Sequence, residues 1–478
     1  MKHYYKLSML MLGLLLAGHV NAQQTFTLDQ CIDYALKNSI NVQNSVLDEQ
    51  IASAKVKETI GIGLPQISID GSLVHNPKLS RFFTTYSGPD GFLGDLSGVP
   101  GIQPGDVIAA RNFFQLQSSG GASIGLNQLL FNGSYLVGLK ASSVYRDLAV
   151  KTGNQTKEQI IQQVMKAYYA VLINKERIDL FANNIARVDS LLSNTKALNE
   201  NGFAEAIDVD RIQVTLNNLL AERNKFLNLN DLGIEVLKFQ MNYPMDQPLE
   251  VVGSINEVQV DTNLEHYKEG WDYKIRPDYQ VLETNRKLQA LNVKNQNAAF
   301  MPTLNAFATF GYSTQSPQIA GLFQTNTQIE DYGGLGPDTW YNYSQIGVSL
   351  NIPIFSGGQR YYKLQQEKIA LSKVDNGFRS LKNGIDLEIK QASLIFENAI
   401  ATLETQQANM DLASRVAQVT KLKYEQGVGS NIEVVDAENS LRQAQTNYYG
   451  AMFDAMVAKV DLDKAYGKLL PIVAESSK

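Results

Sequence analysis

Two phrases whose shared residues lie 224 positions apart restrict what this chain can fold into more than any other feature. "SIGLNQLLFNGSYLVGLKAS" begins at Ser123 and "QIGVSLNIPIFSGGQRYYKL" at Gln345. Each holds a Leu-Asn pair (Leu126 and Asn127; Leu350 and Asn351), then a phenylalanine, one small polar residue and glycine (Phe131, Asn132, Gly133; Phe355, Ser356, Gly357). The likeness extends further. Leu64-Pro65-Gln66-Ile67 matches Met301-Pro302-Thr303-Leu304, and "NGFAEAIDVDRIQVTL" from Asn201 matches "QGVGSNIEVVDAENSL" from Gln426, pairing Gly202 with Gly427 and Ile207 with Ile432. Self-similarity repeated in the same order along the chain marks a structural duplication. The sequence divides into residues 23–243 and 271–467 as two repeats, joined by a connector at 244–270 and followed by a tail at 468–478.

Both repeats predict the same order of elements. A helical stretch (Leu28 to Ile60; Trp271 to Phe300) stops near Pro65 or Pro302, where a fixed φ and a missing N–H disfavour helix. Strands follow at about 64–75 and 113–131 in the first repeat, and at about 302–314 and 341–355 in the second. Ile67, Ile69 and Leu73 alternate with polar residues, as do Ile346, Val348, Leu350 and Ile352, which is strand periodicity. The segments between the strands, Asn76 to Asn112 and Ser316 to Trp340, read as long loops.

Long proline-free runs come next, at about 134–201 and 358–426. As helices they would extend roughly 100 Å at about 1.5 Å per residue. Val164, Val171, Ile178, Ile185 and Leu192 recur every seven positions, and Ile389, Phe396, Leu403 and Met410 do the same in the second repeat. A period of seven sustained this long is a left-handed coiled-coil seam. Gly202 and Gly427 end these runs, and return helices cover about 207–241 and 431–467. One return helix and one incoming helix together match the length of one long helix, so the short helices can stack end to end beside the long ones.

Lys2, Lys6, the apolar run Leu7 to Ala17 and the small residues around Ala22 predict a secretory signal over 1–22. Cys31, the only cysteine, lies too far from the cut for an acyl anchor and is expected to be buried. Beyond the signal there is no apolar run of about 18 residues, so a membrane could be crossed only by β-strands. The formal charge of −6 argues against a nucleic-acid partner. His75 and His266, far from each other and from Cys31, offer no metal-ligand cluster. No Walker or Rossmann fingerprint is present, so no cofactor and no enzymatic activity are expected.

Four strands cannot close a barrel, since the smallest membrane barrels need about eight. An open sheet in lipid would leave edge N–H and C=O groups unpaired, at several kcal/mol each. Either several copies associate, or the strands form a soluble sheet on a periplasmic coiled-coil protein of structural or adhesive kind. A porin-like uptake channel is a third reading, disfavoured because such a channel has little need of helices of roughly 100 Å.

The duplication, the paired "LNQLLFNG" and "LNIPIFSGG" phrases and the paired glycine turns resemble the TolC-type outer-membrane efflux proteins over nearly the whole mature chain. The resemblance implies an α+β membrane protein in which three chains, a homotrimer, build a 12-stranded outer-membrane β-barrel continued by a periplasmic coiled-coil tunnel. It implies a passive exit duct of a tripartite efflux or type I secretion system. The partners would be a periplasmic adaptor (membrane fusion) protein, an inner-membrane transporter of resistance-nodulation-division (RND) or ABC type, and outer-membrane lipid.

Asp208 follows the first glycine turn, while Glu433 and Asp436 follow the second, on one helix face. In a trimer such carboxylates form rings that favour cations; alternatively, they simply complement the helix dipole. The resemblance favours an acidic entrance at Asp208, Glu433 and Asp436, with a gate tyrosine at Tyr424. It places adaptor docking at the turns holding Gly202, Gly427 and Gly429. Gly429 departs from the family pattern, which has an arginine that latches the entrance.

Overall fold

The computed structural model describes residues 24–96, 98–110, 112, 114–253, 255, 264–324 and 340–470. The signal segment, residues 471–478 of the tail, the 325–339 part of the second loop and the 256–263 part of the connector lie outside them. The chain forms two compact units, one from 54–143 and 290–369 and the other from the remainder.

The first of these units is built on a four-stranded antiparallel sheet of β2 (Gln66–His75), β5 (Ser118–Asn132), β7 (Thr303–Ser316) and β8 (Tyr341–Asn351), in the order β2-β5-β7-β8. Its register aligns residues of like polarity. Ile67, Leu126, Ala308 and Ile346 form one row, and Ile69 pairs with Ile124, which pairs with Phe310. The intervening rows are Ser68, Gly125, Thr309 and Gln345, then Asp70, Ser123, Gly311 and Tyr343. Because the side-chain period of a strand is two, one face is apolar and the other polar. The apolar face is uncovered: Ile69 is 78% exposed, Ile346 85% and Val348 63%.

Of three local differences from the expected elements, two have physical causes. The returning strand of the second repeat stops at Asn351 rather than near Phe355, because Pro353 has no N–H to pair. That of the first repeat starts at Ser118. The expected loop at 76–112 contains a short hairpin, β3 (Phe82–Thr85) with β4 (Val107–Ala110), supported by the β-branched and aromatic residues that favour strands.

The repeated phrase is a strand-to-helix junction. β5 continues without a break into helix α3 (Gly133–Glu200). The Asn132 side chain accepts from the Tyr135 N–H at 2.9 Å, satisfying one of the unpaired donors of the first helical turn. Its amide donates to Thr303 Oγ1 at 3.0 Å, tying the same residue to the next strand.

The other unit is helical. Thr27 and Gln30 form a reciprocal capping box that starts α1 (Leu28–Asn38). The single incoming helix read from the sequence is broken at Ser39, and α2 (Ile40–Ile62) follows. The cause is a junction with α4 (Ala206–Met241): Asn242, in the left-handed conformation after α4, donates from its amide to the Asn38 carbonyl at 2.9 Å. The second repeat has the equivalent junction. Its incoming helix α6 (Pro277–Ala298) begins at Pro277, after a 3-10 turn, rather than at Trp271. Arg276, beside that start, donates to the Ala465 carbonyl at 3.0 Å, where α8 (Asn431–Ala465) ends. At these junctions the ends of the return helices α4 and α8 meet the incoming segments at Asn38 and Arg276.

The seven-residue seam of α3 is buried. Val164, Val171 and Leu192 of the repeat are each at most 4% exposed, while Ile178 and Ile185 are half-buried beside the buried Phe181 and Val188; the stripe packs with Leu237 and Met241 or with Ile212 and Leu219 of α4. Cys31 is fully buried, and burial pushes its thiol up to about 12. The seam of α7 (Gln359–Glu425) is used less. Ile385, Ala392, Phe396 and Ala417 are buried, while Leu387 and Leu394, and Leu412 and Val419, each pair seven residues apart, stay exposed. A parallel pair, β1 (Gln24–Phe26) with β6 (Leu249–Val251), ties the start of the described chain to the connector, which also holds the short helix α5 (Glu265–Lys268).

Candidate entrance site at the helix tips

The two glycine turns are the same motif built twice. Gly202 has φ +81° and Gly427 φ +76°, a region that costs an L side chain roughly 1 kcal/mol or more. The Phe203 N–H bonds the Leu198 carbonyl and the Gly202 N–H that of Asn199, at 2.8 and 2.9 Å. The Val428 and Gly427 N–H groups bond Lys423 and Tyr424 in the same pattern, at 3.0 and 2.9 Å. This is the Schellman arrangement, which satisfies carbonyls that a helix end would otherwise leave unpaired. Phe203 and Val428 are 81% and 78% exposed, so each turn presents a large apolar side chain to its surroundings.

Gly429 is needed for a different reason. A Cβ there would lie 3.1 Å from both the Tyr424 backbone nitrogen and the Lys423 Cβ. The turn is folded against the end of α7, so a side chain at this position requires the neighbouring atoms to give by a few tenths of an ångström. Ser430 then caps α8 through the Glu433 N–H, at 3.4 Å.

The candidate gate residues occupy distinct surroundings. Tyr424 packs beside the cluster containing Phe181, Leu192 and Val434, and its hydroxyl lies 3.4 Å from Thr195 Oγ1 of α3. Asp208, in the first turn of α4, pairs with Arg211 of its own helix at 3.5 Å. Glu433 and Asp436 are exposed and make no ion pair among the described residues. The starts of α4 and α8 lie side by side and form a shallow groove lined by Ile207, Asp210, Val214, Val435 and Asn439.

Two polar networks joining distant parts of the chain escaped the sequence reading. Arg187 of α3 pairs with Glu438 of α8 at 3.1 Å, and Asn184 donates to Gln445 at 2.9 Å, clamping α3 to α8 above the tips. Near the second junction, Arg276 is 4% exposed and pairs with Asp278 and with Glu388 of α7, both at 2.8 Å. Close to this group lies Glu158 of α3, 3% exposed, with an Oε1 that has no hydrogen-bond partner among the described residues. Burial pushes the Glu158 carboxyl up to about 7; Arg276 and Lys464 oppose that rise, while Asp278 and Glu388 add to it. Residues separated by more than a hundred positions leave no local pattern from which such contacts could be read.

Among the described residues, no group of three or more His, Cys, Asp or Glu side chains is placed to hold a metal ion. Nor is any described helix long and apolar enough to cross a membrane.

Residues 274–468 match the family model for outer membrane efflux proteins. The chain is similar to the probable efflux pump outer membrane protein TtgC of Pseudomonas putida, 25% identical over 327 residues, which make up 65% of this chain and 61% of TtgC. It thus spans less than two thirds of that relative's length. The outer membrane protein TolC of Vibrio cholerae is 21% identical over 361 residues, covering 73% of this chain and 76% of that protein. Among solved structures, the Vibrio cholerae outer membrane protein VceC superposes with a TM-score of 0.67 at 14% identity, covering 92% of this chain and 96% of VceC. The Campylobacter jejuni CmeC outer membrane channel does so at 0.67 and 16% identity, covering 94% and 89%. The duplicated strands and helices therefore have the fold of these channels, and residues 274–468 are similar to the outer membrane efflux proteins.

Proposed function

We propose that three copies of this chain form a passive duct through the outer membrane of a Gram-negative bacterium. The observation that carries this reading is the four-stranded sheet, with an uncovered apolar face and two unpaired edges, β2 and β8. Moving one large aliphatic side chain out of water is worth about 1.5–3 kcal/mol, so Ile67, Ile69, Leu73, Ile346, Val348 and Leu350 together favour lipid by roughly 10 kcal/mol. In lipid the edges must pair, and β2 of one copy with β8 of the next closes twelve strands. The exposed seven-residue steps of α7 supply a seam for the neighbouring copy at the level of the helices.

In this reading Asp208, Glu433 and Asp436 ring the periplasmic entrance and favour cations, and Tyr424 narrows it. Thr195 anchors the tyrosine hydroxyl, and the Arg187 to Glu438 clamp holds the helices beside it. The arginine latch of the family is replaced by backbone hydrogen bonds of the tight Gly429 turn. Phe203 and Val428, projecting from the turns at Gly202 and Gly427, offer apolar contacts to a periplasmic adaptor protein. An inner-membrane transporter of RND or ABC type would supply the energy, and no catalytic step falls to this chain. Outer-membrane fractionation with planar-bilayer recording tests this: the purified protein should yield discrete conductance steps. A protein found in the soluble periplasmic fraction, silent in bilayers, would overturn the reading.

A further inference from the structure

Fifty strand residues make up the four-stranded sheet, and Asp70 is the only Asp, Glu, Lys or Arg among them. The register puts it on the polar face, in a row with Ser123, Gly311 and Tyr343. The rows on either side of it on that face, Ser68 with Gly125, Thr309 and Gln345, and Ser72 with Gly121 and Ser313, are small or neutral. Asp70 is exposed, and the Ser68 hydroxyl donates to its Oδ2 at 3.2 Å. His75, at the end of β2, belongs to the opposite face.

We infer that Asp70 is a selectivity-determining residue of the barrel interior, forming with its two symmetry copies the single charged ring in an otherwise neutral wall. This rests on the trimeric duct reading, in which the apolar face meets lipid and the polar face meets water. Twelve strands about 4.8 Å apart and tilted about 40° enclose a wall of roughly 12 Å radius, so an inward carboxylate sits roughly 9 Å from the axis. At that distance, in about 0.1 M salt, three unit charges enrich a monovalent cation on the axis roughly two- to threefold and deplete an anion by the same factor. The ligand class is thus a small cation, or the cationic end of a larger solute. The competing role for a charge facing inward from an edge strand is to discourage wrong strand pairing before assembly. That role ends once the channel is closed.

The test is the reversal potential of the assembled trimer in planar bilayers under a KCl gradient. Asp70→Asn should lower the potassium-to-chloride permeability ratio by roughly sixfold; Asp70→Glu should keep it. Asp70→Cys separates selectivity from assembly, because the only native thiol, Cys31, is fully buried and unreactive. On one open channel, an anionic methanethiosulfonate should restore cation preference and a cationic one should drive it towards anions. Conducting variants whose permeability ratio equals that of the unaltered protein, and does not respond to either reagent, would overturn the proposal while leaving the duct intact. Absence of conductance from the unaltered protein would overturn both.

Discussion

Glu158 carries a stability cost that depends on pH, and replacing it by Gln should remove that cost. Its carboxyl is buried, its Oε1 has no partner among the described residues, and its proton affinity is raised from an ordinary value of 4.5 to about 7 by burial first, with Asp278 and Glu388 contributing and Arg276 and Lys464 opposing. Between these two values the folded chain holds a proton that the unfolded chain has released. Stability therefore falls as pH rises from about 4.5 to about 7, and stays at the lower level above that. At about 1.4 kcal/mol per tenfold change in proton affinity, the total is roughly 3 kcal/mol per chain. Unfolding entropy of about 2.1 cal/mol/K per residue gives a chain of this length about 1 kcal/mol/K, so the melting temperature should differ by about 3 °C. Thermal melts of the detergent-solubilised protein, followed by helical circular dichroism, provide the assay. Glu158→Gln should melt with the unaltered protein near pH 4.5 and about 3 °C above it at pH 8. Parallel curves across this range, or a variant that loses stability only at high pH, would mean that Glu158 carries no such cost.

Three further changes address the tips. Gly429→Arg should not restore a latch: its Cβ would press on the Tyr424 backbone at 3.1 Å, so limited proteolysis should cut the 425–430 turn faster than in the unaltered protein. Gly202→Pro or Gly427→Pro removes an N–H bonded to Asn199 or Tyr424 and demands a φ near −65° where the chain has about +80°. Export should fail while trimers persist in the membrane, as read by substrate accumulation and by gels run without heating. Glu433→Gln with Asp436→Asn should reduce block by polyvalent cations applied from the tunnel side in bilayers, since both carboxylates are exposed and make no ion pair among the described residues.

What could be read in advance was whatever repeats or alternates. The offset between the two Phe-x-Gly phrases located both strand-to-helix junctions, and the sevens from Val164 to Leu192 identified the buried seam of α3. The glycines at 202 and 427 marked left-handed turns because few other residues sit there without strain. Contacts between segments distant in sequence could not be read this way. The break at Ser39 depends on the amide of Asn242, and the start of α6 on the packing of Arg276 against Ala465. Glu158 resembles any other acidic residue on a helix until Arg276, Glu388 and Lys464 gather beside it. The hairpin at 82–85 and 107–110 was hidden because its strands are four residues each, too short for alternation to stand out from a loop. At the tips, sequence gave the positions of Asp208, Tyr424, Glu433 and Asp436, but the Arg211 partner of Asp208 and the Thr195 contact of Tyr424 emerge only from the fold.

An open sheet of four strands makes a pore only when copies share it. The mass of the purified, detergent-solubilised protein, by light scattering corrected for bound detergent, counts those copies. Three chains of 53.0 kDa less any cleaved signal segment are predicted. A single chain, stable and monodisperse in buffer without detergent, would contradict it.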